Sequence, residues 1–340
     1  MNIFLRGAAL LCVAAVLFSL GACSGEQREE YYENSYNAGD DVLSAYFAYD
    51  TMEEDADGNR IYFTNDELEE IFDACCDVYA DALRAIDPAD SASDLFEINQ
   101  PVDAIFDIDA QIIDLLDRSL ALADATDGFY QPVFGSVTQL LQENSQPDAA
   151  LLEEALSHTG VDKIAIEGNS VYKTDPLAQA DLTALKNGYA LEKIIAYLQE
   201  SSVVYGFVTL GSCAGVFGTK PEGDPFEIGI LADAGEASAE GYAHIDSGYV
   251  FVVSDALGGA INYTDGSAAE SDLAKVAVLS EDAVAGDVLA HALYAMGYDR
   301  GLELYAAGAV PFEAVFYLKD GSVEVTEGAY RAGVYSAAKA

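Results

Sequence analysis

In YGFVTLGSCAGVFGT, residues 205–219, β-branched and aromatic residues are interspersed with turn-forming glycines. Such a composition is typical of short strands joined by turns. Further runs of this kind are KIAIEGNSVYKT (163–174, with a Gly-Asn turn), PFEIGILAD (225–233), YVFVVSDA (249–256), KVAVLS (275–280) and FEAVFYLKDGSVEVT (312–326). Together they predict hairpins, and therefore a largely antiparallel sheet.

Other segments have the 3.6-residue period of amphipathic helices. NDELEEIFDACCDVYADALRAI, residues 65–86, has apolar residues at helical spacing, with Asn65 as the expected N-cap. The same period occurs in IDAQIIDLLDRSLALADAT (108–126), AALLEEALSHTG (149–160) and NGYALEKIIAYLQES (187–201). Because helices and hairpins are mixed along the chain, the sequence predicts an α+β domain with flanking helices.

The amino terminus has the features of an export signal. Residues 1–22 contain a positive charge, an apolar run and a small-residue end. LGAC (20–23) resembles the bacterial lipobox, in which the cysteine is lipidated, so Cys23 is the expected lipidation site. The alternative is an uncleaved anchor helix. Residues 23–41 are acidic and predict a flexible tether, and residues 42–335 predict one domain held outside the bacterial cell membrane.

Charge and cysteine content limit the function further. The chain has 59 acidic and 15 basic residues, a formal charge of −44, which argues against binding nucleic acid by charge attraction. Binding of any anionic ligand then needs positive charge at the site itself. Cys75, Cys76 and Cys213 offer no CxxC pair, and the two adjacent cysteines are poorly placed for a mutual disulfide, so we interpret all three as core residues.

One helical segment carries a pair of potential metal ligands. In GDVLAHALYAMG, residues 286–297, Asp287 and His291 stand four positions apart and share a helix face. Both could reach one cation. Spacing alone leaves open a solvated pair or a pair that caps a helix N-terminus.

An ordered set of segments resembles the bacterial FAD:protein FMN transferases, the ApbE-type lipoproteins. The segments are YFAYDT (46–51), INQPVDAIFDIDAQIIDLL (98–116), TDGFYQPVFGSV (126–137), DLTALKNGYALEKI (181–194), VTLGSCAGVFGTKPEGDPFEIGI (208–230), DSG (246–248) and GDVLAHALYAMG (286–297). The resemblance implies an extracytoplasmic enzyme that binds FAD and Mg²⁺ and transfers FMN to a Thr or Ser hydroxyl of an acceptor protein.

The resemblance also implies which residues form the site. Metal ligands would be Asp287, His291 and a backbone carbonyl near Ala184, with Asp287 also the catalytic residue. The residues implied in flavin binding are Thr126, Asp127, Asp181, Tyr189, Gly211 and Ser247. Thr126 and Asp127 fit an ordinary helix C-terminal turn equally well.

The chain departs from the family pattern at several of these positions. A histidine replaces an oxygen ligand at 291, so Zn²⁺ or Mn²⁺ competes with Mg²⁺ as the expected ion. The family's lysine position is Asn187, with Lys186 one residue early, and Ser212 replaces a glycine. A catalytically degenerate module that binds FAD or a protein partner is therefore the alternative function, and an unrelated solute-binding lipoprotein is a third.

Overall fold

The structure is a computed structural model that describes residues 31–38, 41–221, 223–231, 239–257 and 259–338. The strands are β1 (Tyr31–Ala38), β2 (Asp41–Ala48), β3 (Asp50–Glu54), β4 (Arg60–Tyr62), β5 (Ala104–Ile105), β6 (Ile164–Glu167), β7 (Ser170–Lys173), β8 (Gly206–Leu210), β9 (Cys213–Phe217), β10 (Phe226–Leu231), β11 (Ala239–Ile245), β12 (Gly248–Ser254), β13 (Leu273–Ser280), β14 (Glu313–Leu318), β15 (Val323–Val325) and β16 (Tyr335–Ala337).

The helices alternate with these strands along the chain. They are α1 (Asn65–Ala85), α2 (Asp94–Ile98), α3 (Ala110–Ala125), α4 (Gly135–Glu143), α5 (Ala149–Ser157), α6 (Lys186–Glu200), α7 (Ala283–Met296), α8 (Tyr298–Ala307) and α9 (Glu327–Ala332). Short 3-10 turns occur at Val161–Lys163, Thr183–Leu185 and Asp255–Leu257. The α+β class predicted from the sequence is confirmed.

An eight-stranded antiparallel sheet, in the order β1-β2-β8-β9-β12-β13-β14-β15, forms the centre of the fold. Its central strands are largely buried on both faces, whereas the edge strands β1 and β15 are mostly exposed. Along β12, Phe251 and Val253 pack in the core that contains the helices, whereas Val250 and Val252 pack in a second core with the three-stranded sheet β10-β11-β16. The two-residue period of a strand produces this division between the faces.

The sheet begins before the predicted domain boundary. Residues 31–38, assigned from the sequence to a flexible tether, form β1 and pair with β2. The tether prediction is therefore wrong for these residues. The strand has no apolar period, and it is held by main-chain pairing and by tyrosine contacts. Tyr32 stacks on Phe47 with ring centroids 6.0 Å apart, and Tyr31 packs edge-on against Tyr205 at 6.0 Å.

The carboxyl-terminal boundary also moves slightly. β16 pairs with β11, and the Ala338 N–H donates to the Glu240 carbonyl at 2.9 Å, so the fold extends to residue 338. Within the residues described, no helix is long and apolar enough to cross a membrane. The predicted signal at residues 1–22 and the predicted lipidation site, Cys23, lie outside the described residues.

Helix α1 illustrates how local sequence sets an element's limits. Thr64, and not the predicted Asn65, is the N-cap: its hydroxyl accepts from the Glu67 N–H, and the Glu67 carboxylate accepts from the Thr64 N–H. This reciprocal capping box satisfies two of the amide donors at the start of the helix. Cys75, from the same helix, is buried, Cys76 is half-buried, and both are free thiols, as is the buried Cys213.

Candidate functional site

The site is built where helices α6 and α7 cross. Gly188, in the first turn of α6, lies against the Ala283 carbonyl in the first turn of α7, and a β-carbon on Gly188 would overlap that carbonyl. On the other side of α7, a β-carbon on Gly286 would come within 2.7 Å of the Phe251 ring. The two glycines allow α7 to lie close to both α6 and the sheet.

Asp287 is the charged residue buried at this crossing. The residue has 2% of its surface exposed, and its Oδ2 accepts the Gly188 N–H at 2.8 Å, with a further backbone hydrogen bond from Asn187. Neither donor belongs to α7: both belong to the first turn of α6, which has no side-chain cap from its own N-cap residue, Leu185. The Asp287 carboxylate therefore caps a neighbouring helix, where unpaired amides and the helix dipole favour an anion.

Burial dominates the electrostatics of this carboxylate. It raises the pKa of Asp287 to about 6, against the opposing effects of His291, the two α6 amides and Lys186. The ionised group is thus stabilised only in part by its surroundings. A cation placed beside it would supply the missing stabilisation.

His291 lies one turn further along α7, on the same face as Asp287. Its Nδ1 is 3.0 Å from the Asp287 backbone carbonyl and 3.7 Å from the Asp287 Oδ1. Because a carbonyl oxygen only accepts, Nδ1 carries the hydrogen and the lone pair of the neutral ring is on Nε2. Asp287 is too deeply buried for the solvated pair that the spacing left open, and the carboxylate caps α6 in place of its own helix.

These groups fit a divalent cation whose coordination shell is completed by a bound ligand. In the described part of the chain, no three His, Cys, Asp or Glu residues cluster closely enough to hold an ion by themselves. Mg²⁺ is commonly held by one or two carboxylates together with substrate phosphates and water. The metal ligands predicted from the sequence are Asp287, His291 and the backbone carbonyl near Ala184, in the adjoining 3-10 turn, and their metal-binding role stays a prediction.

Asp181 orders the turn that carries Ala184. Its Oδ1 accepts the Thr183 N–H at 2.9 Å, and its Oδ2 accepts the Thr138 hydroxyl at 2.5 Å. Both carboxylate oxygens are thereby occupied by the protein. Asp181 is placed to fix the shape of the turn, and Thr138, which holds it, had no signal in the sequence.

The two residues at the family's lysine position point to different neighbours. Lys186 Nζ lies 3.9 Å from Asp41 Oδ2 at the start of β2, whereas Asn187 Nδ2 lies 3.9 Å from Cys213 Sγ at the start of β9. Among the residues that the structure describes, none hydrogen-bonds the buried Asn187 Oδ1. Lys186 therefore does not occupy the space of Asn187, as expected for adjacent helical residues about 100° apart.

A cleft of about 470 Å³ opens beside the Thr183–Leu185 turn, between the end of α1 and the start of α6. A volume of this size is typical of ligand pockets. It contains two basic side chains of this acidic protein. The lining includes Leu83, Arg84, Asp87, Asp90, Thr183 and Lys186.

The predicted residues of the 126–128 segment have the contacts of a helix end. Thr126 is the C-cap residue of α3, fully buried, and its hydroxyl donates to the Leu122 carbonyl at 2.8 Å. Asp127 has a positive φ of 51°, has 88% of its side chain exposed and lies 3.5 Å from Arg300. A flavin-binding role for these two residues stays a prediction, and the contacts favour the ordinary helix turn.

The remaining predicted flavin-binding residues lie in three different places. Gly211, with φ of 57°, forms the β8–β9 turn and adjoins Asp41, near Lys186. Tyr189 is buried on the α3 side of α6, where it lines a cavity together with Arg118 and Glu192, and Lys193 Nζ lies 5.0 Å from its ring centre. Ser247 is exposed in the β11–β12 turn.

The comparison with known families identifies the fold. The sequence profile of the ApbE family matches residues 54–316. The chain belongs to the ApbE family. This ApbE chain is 24% identical over 257 residues to a FAD:protein FMN transferase of Vibrio cholerae, with 70% of this chain and 77% of the relative covered. It is 23% identical over 264 residues to that of Haemophilus influenzae, with 71% and 76% covered.

Solved structures support the same fold for this ApbE chain. The ApbE protein of Thermotoga maritima superposes with a TM-score of 0.74 at 21% identity, covering 90% of this chain and 99% of that one. The apo flavinyl transferase ApbE of Pseudomonas stutzeri gives a TM-score of 0.74 at 17% identity, covering 92% and 100%. At these identities the structural likeness supports the fold, and the site has to be argued from this chain's own residues.

Proposed function

We propose that this protein transfers FMN from FAD to a Thr or Ser hydroxyl of an extracytoplasmic protein, assisted by a divalent metal. The observation that carries the proposal is the buried Asp287 carboxylate on the N-terminus of α6, beside the Asp181-ordered turn, in a chain of the ApbE family. A metal bound there would neutralise the FAD pyrophosphate and stabilise charge on the departing AMP.

The transfer exchanges one phosphorus–oxygen bond for another. The acceptor hydroxyl oxygen forms a bond to the FMN phosphorus, the pyrophosphate bond breaks, AMP leaves with the bonding electron pair, and the hydroxyl proton is released. Asp287, His291 and the Ala184 carbonyl would hold the metal. Lys186, which lines the cleft, would supply positive charge to phosphates approaching a protein of charge −44.

Calorimetry with FAD and individual metals tests the binding half of this proposal. We expect FAD to bind measurably only with a divalent metal, and Mn²⁺ or Zn²⁺ to support binding better than Mg²⁺, because a nitrogen donor stands at residue 291. His291→Thr should move the preference toward Mg²⁺. FAD binding that ignores both the metal and an Asp287→Ala substitution would contradict the assigned site.

The second candidate function is a binding module without transfer activity. The observation that favours it is the pair at the lysine position: Lys186 is directed to Asp41, and Asn187 is directed to Cys213. Incubation with FAD, Mn²⁺ and a peptide containing an acceptor threonine separates the two. A fluorescent flavin covalently attached to the peptide would support transfer, whereas bound FAD with an unlabelled peptide would support the binding module.

We also propose a lipid anchor at Cys23, which would place the site outside the cytoplasmic membrane. The support is the LGAC segment after the apolar run. Cys23→Ala should abolish incorporation of a labelled fatty acid and release the protein from membranes. Unchanged membrane attachment would mean that the apolar segment itself is the anchor.

A further inference from the structure

Arg118, on α3, joins the two helices that cross at the site. Its Nη1 and Nη2 donate to the two carboxylate oxygens of Glu192 on α6, at 3.2 and 2.9 Å. Its Nη2 also donates to Oδ1 of Asp282, the N-cap residue of α7, at 2.8 Å. One guanidinium therefore binds a carboxylate from each of the crossing helices.

These contacts involve the starts of the two helices that meet at Asp287: Asp282 precedes Asp287 by five residues on α7. Glu192 follows Gly188 by four residues and shares its face of α6. The Asp282 Oδ1 also accepts the Ala285 N–H at 2.9 Å, so the same oxygen that binds Arg118 begins the helix that carries Asp287. Movement of either helix start relative to the other would alter the Gly188–Asp287 hydrogen bond.

The geometry of this junction requires an arginine. A guanidinium presents a planar fork of donors that engages one carboxylate with two nitrogens and reaches a second carboxylate at the same time. The Arg118 side chain is 26% exposed and that of Glu192 is 31% exposed, so solvent screens the pair only in part. A lysine ammonium carries the charge without the fork.

We propose that Arg118 is a positioning residue that fixes the α6–α7 crossing and thereby the metal-binding geometry of Asp287. The inference rests on the proposed function, because it assigns Arg118 to the same site. Arg118 does not contact Asp287 and acts through Glu192 and Asp282. Loss of a group that hydrogen-bonds a metal ligand directly typically lowers metal affinity roughly 10- to 100-fold, and for Arg118, which acts one contact further away, we expect a loss of about tenfold.

The test compares Arg118→Met and Arg118→Lys with Arg331→Met. Arg331 is a matched control because it forms an exposed pair with Glu327 within α9. With FAD present, electron paramagnetic resonance should show Mn²⁺ affinity about tenfold lower for Arg118→Met. Arg118→Lys should be intermediate, and Arg331→Met unchanged.

Hydrogen exchange at the Gly188 amide gives a second measurement that needs neither metal nor activity. It should be faster in Arg118→Met than in Arg331→Met, because the Asp287 acceptor is less firmly held. If Arg118→Met does not fold, Asp282→Asn, which keeps an N-capping oxygen, should show both effects in a folded protein.

The outcomes separate this inference from the proposed function. A folded Arg118→Met protein with unchanged Mn²⁺ affinity and unchanged Gly188 exchange would overturn the positioning role, as would full restoration by lysine. If the wild-type protein binds neither FAD nor Mn²⁺, the proposed function fails, and Gly188 exchange alone decides whether Arg118 holds the crossing.

Discussion

Replacing Asp287 with asparagine removes one buried charge and keeps an oxygen that can accept the Gly188 N–H. The variant thus retains the cap on α6 and mimics the protonated acid. Asp287→Ala, in contrast, would leave the α6 amides unpaired and mix two effects. Asparagine is therefore the substitution that isolates the charge.

The magnitude follows from the pKa of the buried carboxyl. Burial raises it from 3.8 to about 6. Because each pKa unit corresponds to ~1.36 kcal/mol, ionising Asp287 in the folded, metal-free protein costs roughly 3 kcal/mol at neutral pH. Below the unfolded-state pKa the group is protonated in both states and the cost vanishes, whereas above the folded-state pKa the cost is complete. At about pH 5 roughly half of it remains.

The assay is urea denaturation of both proteins with a chelator present, at about pH 5 and about pH 7.5. Asp287→Asn should be the more stable protein by roughly 3 kcal/mol at the higher pH and by about half of that at the lower pH. Adding Mn²⁺ should stabilise the wild type and leave the variant unchanged. A variant less stable than the wild type at about pH 7.5 without metal would refute the uncompensated buried carboxylate.

Three further changes test other parts of the account. Gly188→Ala should destabilise the fold or shift α6 from α7, because the new β-carbon would overlap the Ala283 carbonyl. Stability measured by denaturation and FAD binding measured by calorimetry would both be unchanged if the helices did not cross so closely. Burial lowers the pKa of Lys173 to about 8, so above this pH the unfolded chain binds more protons than the folded protein. The free energy of unfolding should therefore rise as the pH increases from about 8 toward 10. Denaturation of a Lys173→Met protein should lack this rise, and parallel pH profiles of the two proteins would exclude the effect. Limited proteolysis should leave one large resistant fragment that includes β1, and two stable halves would contradict a single cooperative domain.

The sequence predicted those helices and strands whose limits depend on turn residues or on apolar periodicity within the segment itself. The Gly168–Asn169 turn between β6 and β7 and the helix over 65–85 follow from turn residues and from apolar period. Strand β1 was missed because its order depends on pairing with β2 and on tyrosine stacking, and neither leaves an apolar period in YYENSYNA.

The candidate site was predictable only in part for the same physical reason. Spacing placed Asp287 and His291 on one helix face, but it could not show that Asp287 is buried and caps a different helix. The Arg118 junction and the Thr138–Asp181 contact join residues far apart in sequence. Such contacts arise from packing, so no local pattern indicates them.

The most direct measurement is the intact mass of an acceptor protein or peptide bearing a target threonine, after incubation with FAD and Mn²⁺. The wild-type protein should add the mass of one FMN, less water, and release one AMP for each addition, whereas Asp287→Asn should add none. An acceptor of unchanged mass beside wild-type protein that has bound FAD would contradict transfer, and equal labelling by Asp287→Asn would contradict the site.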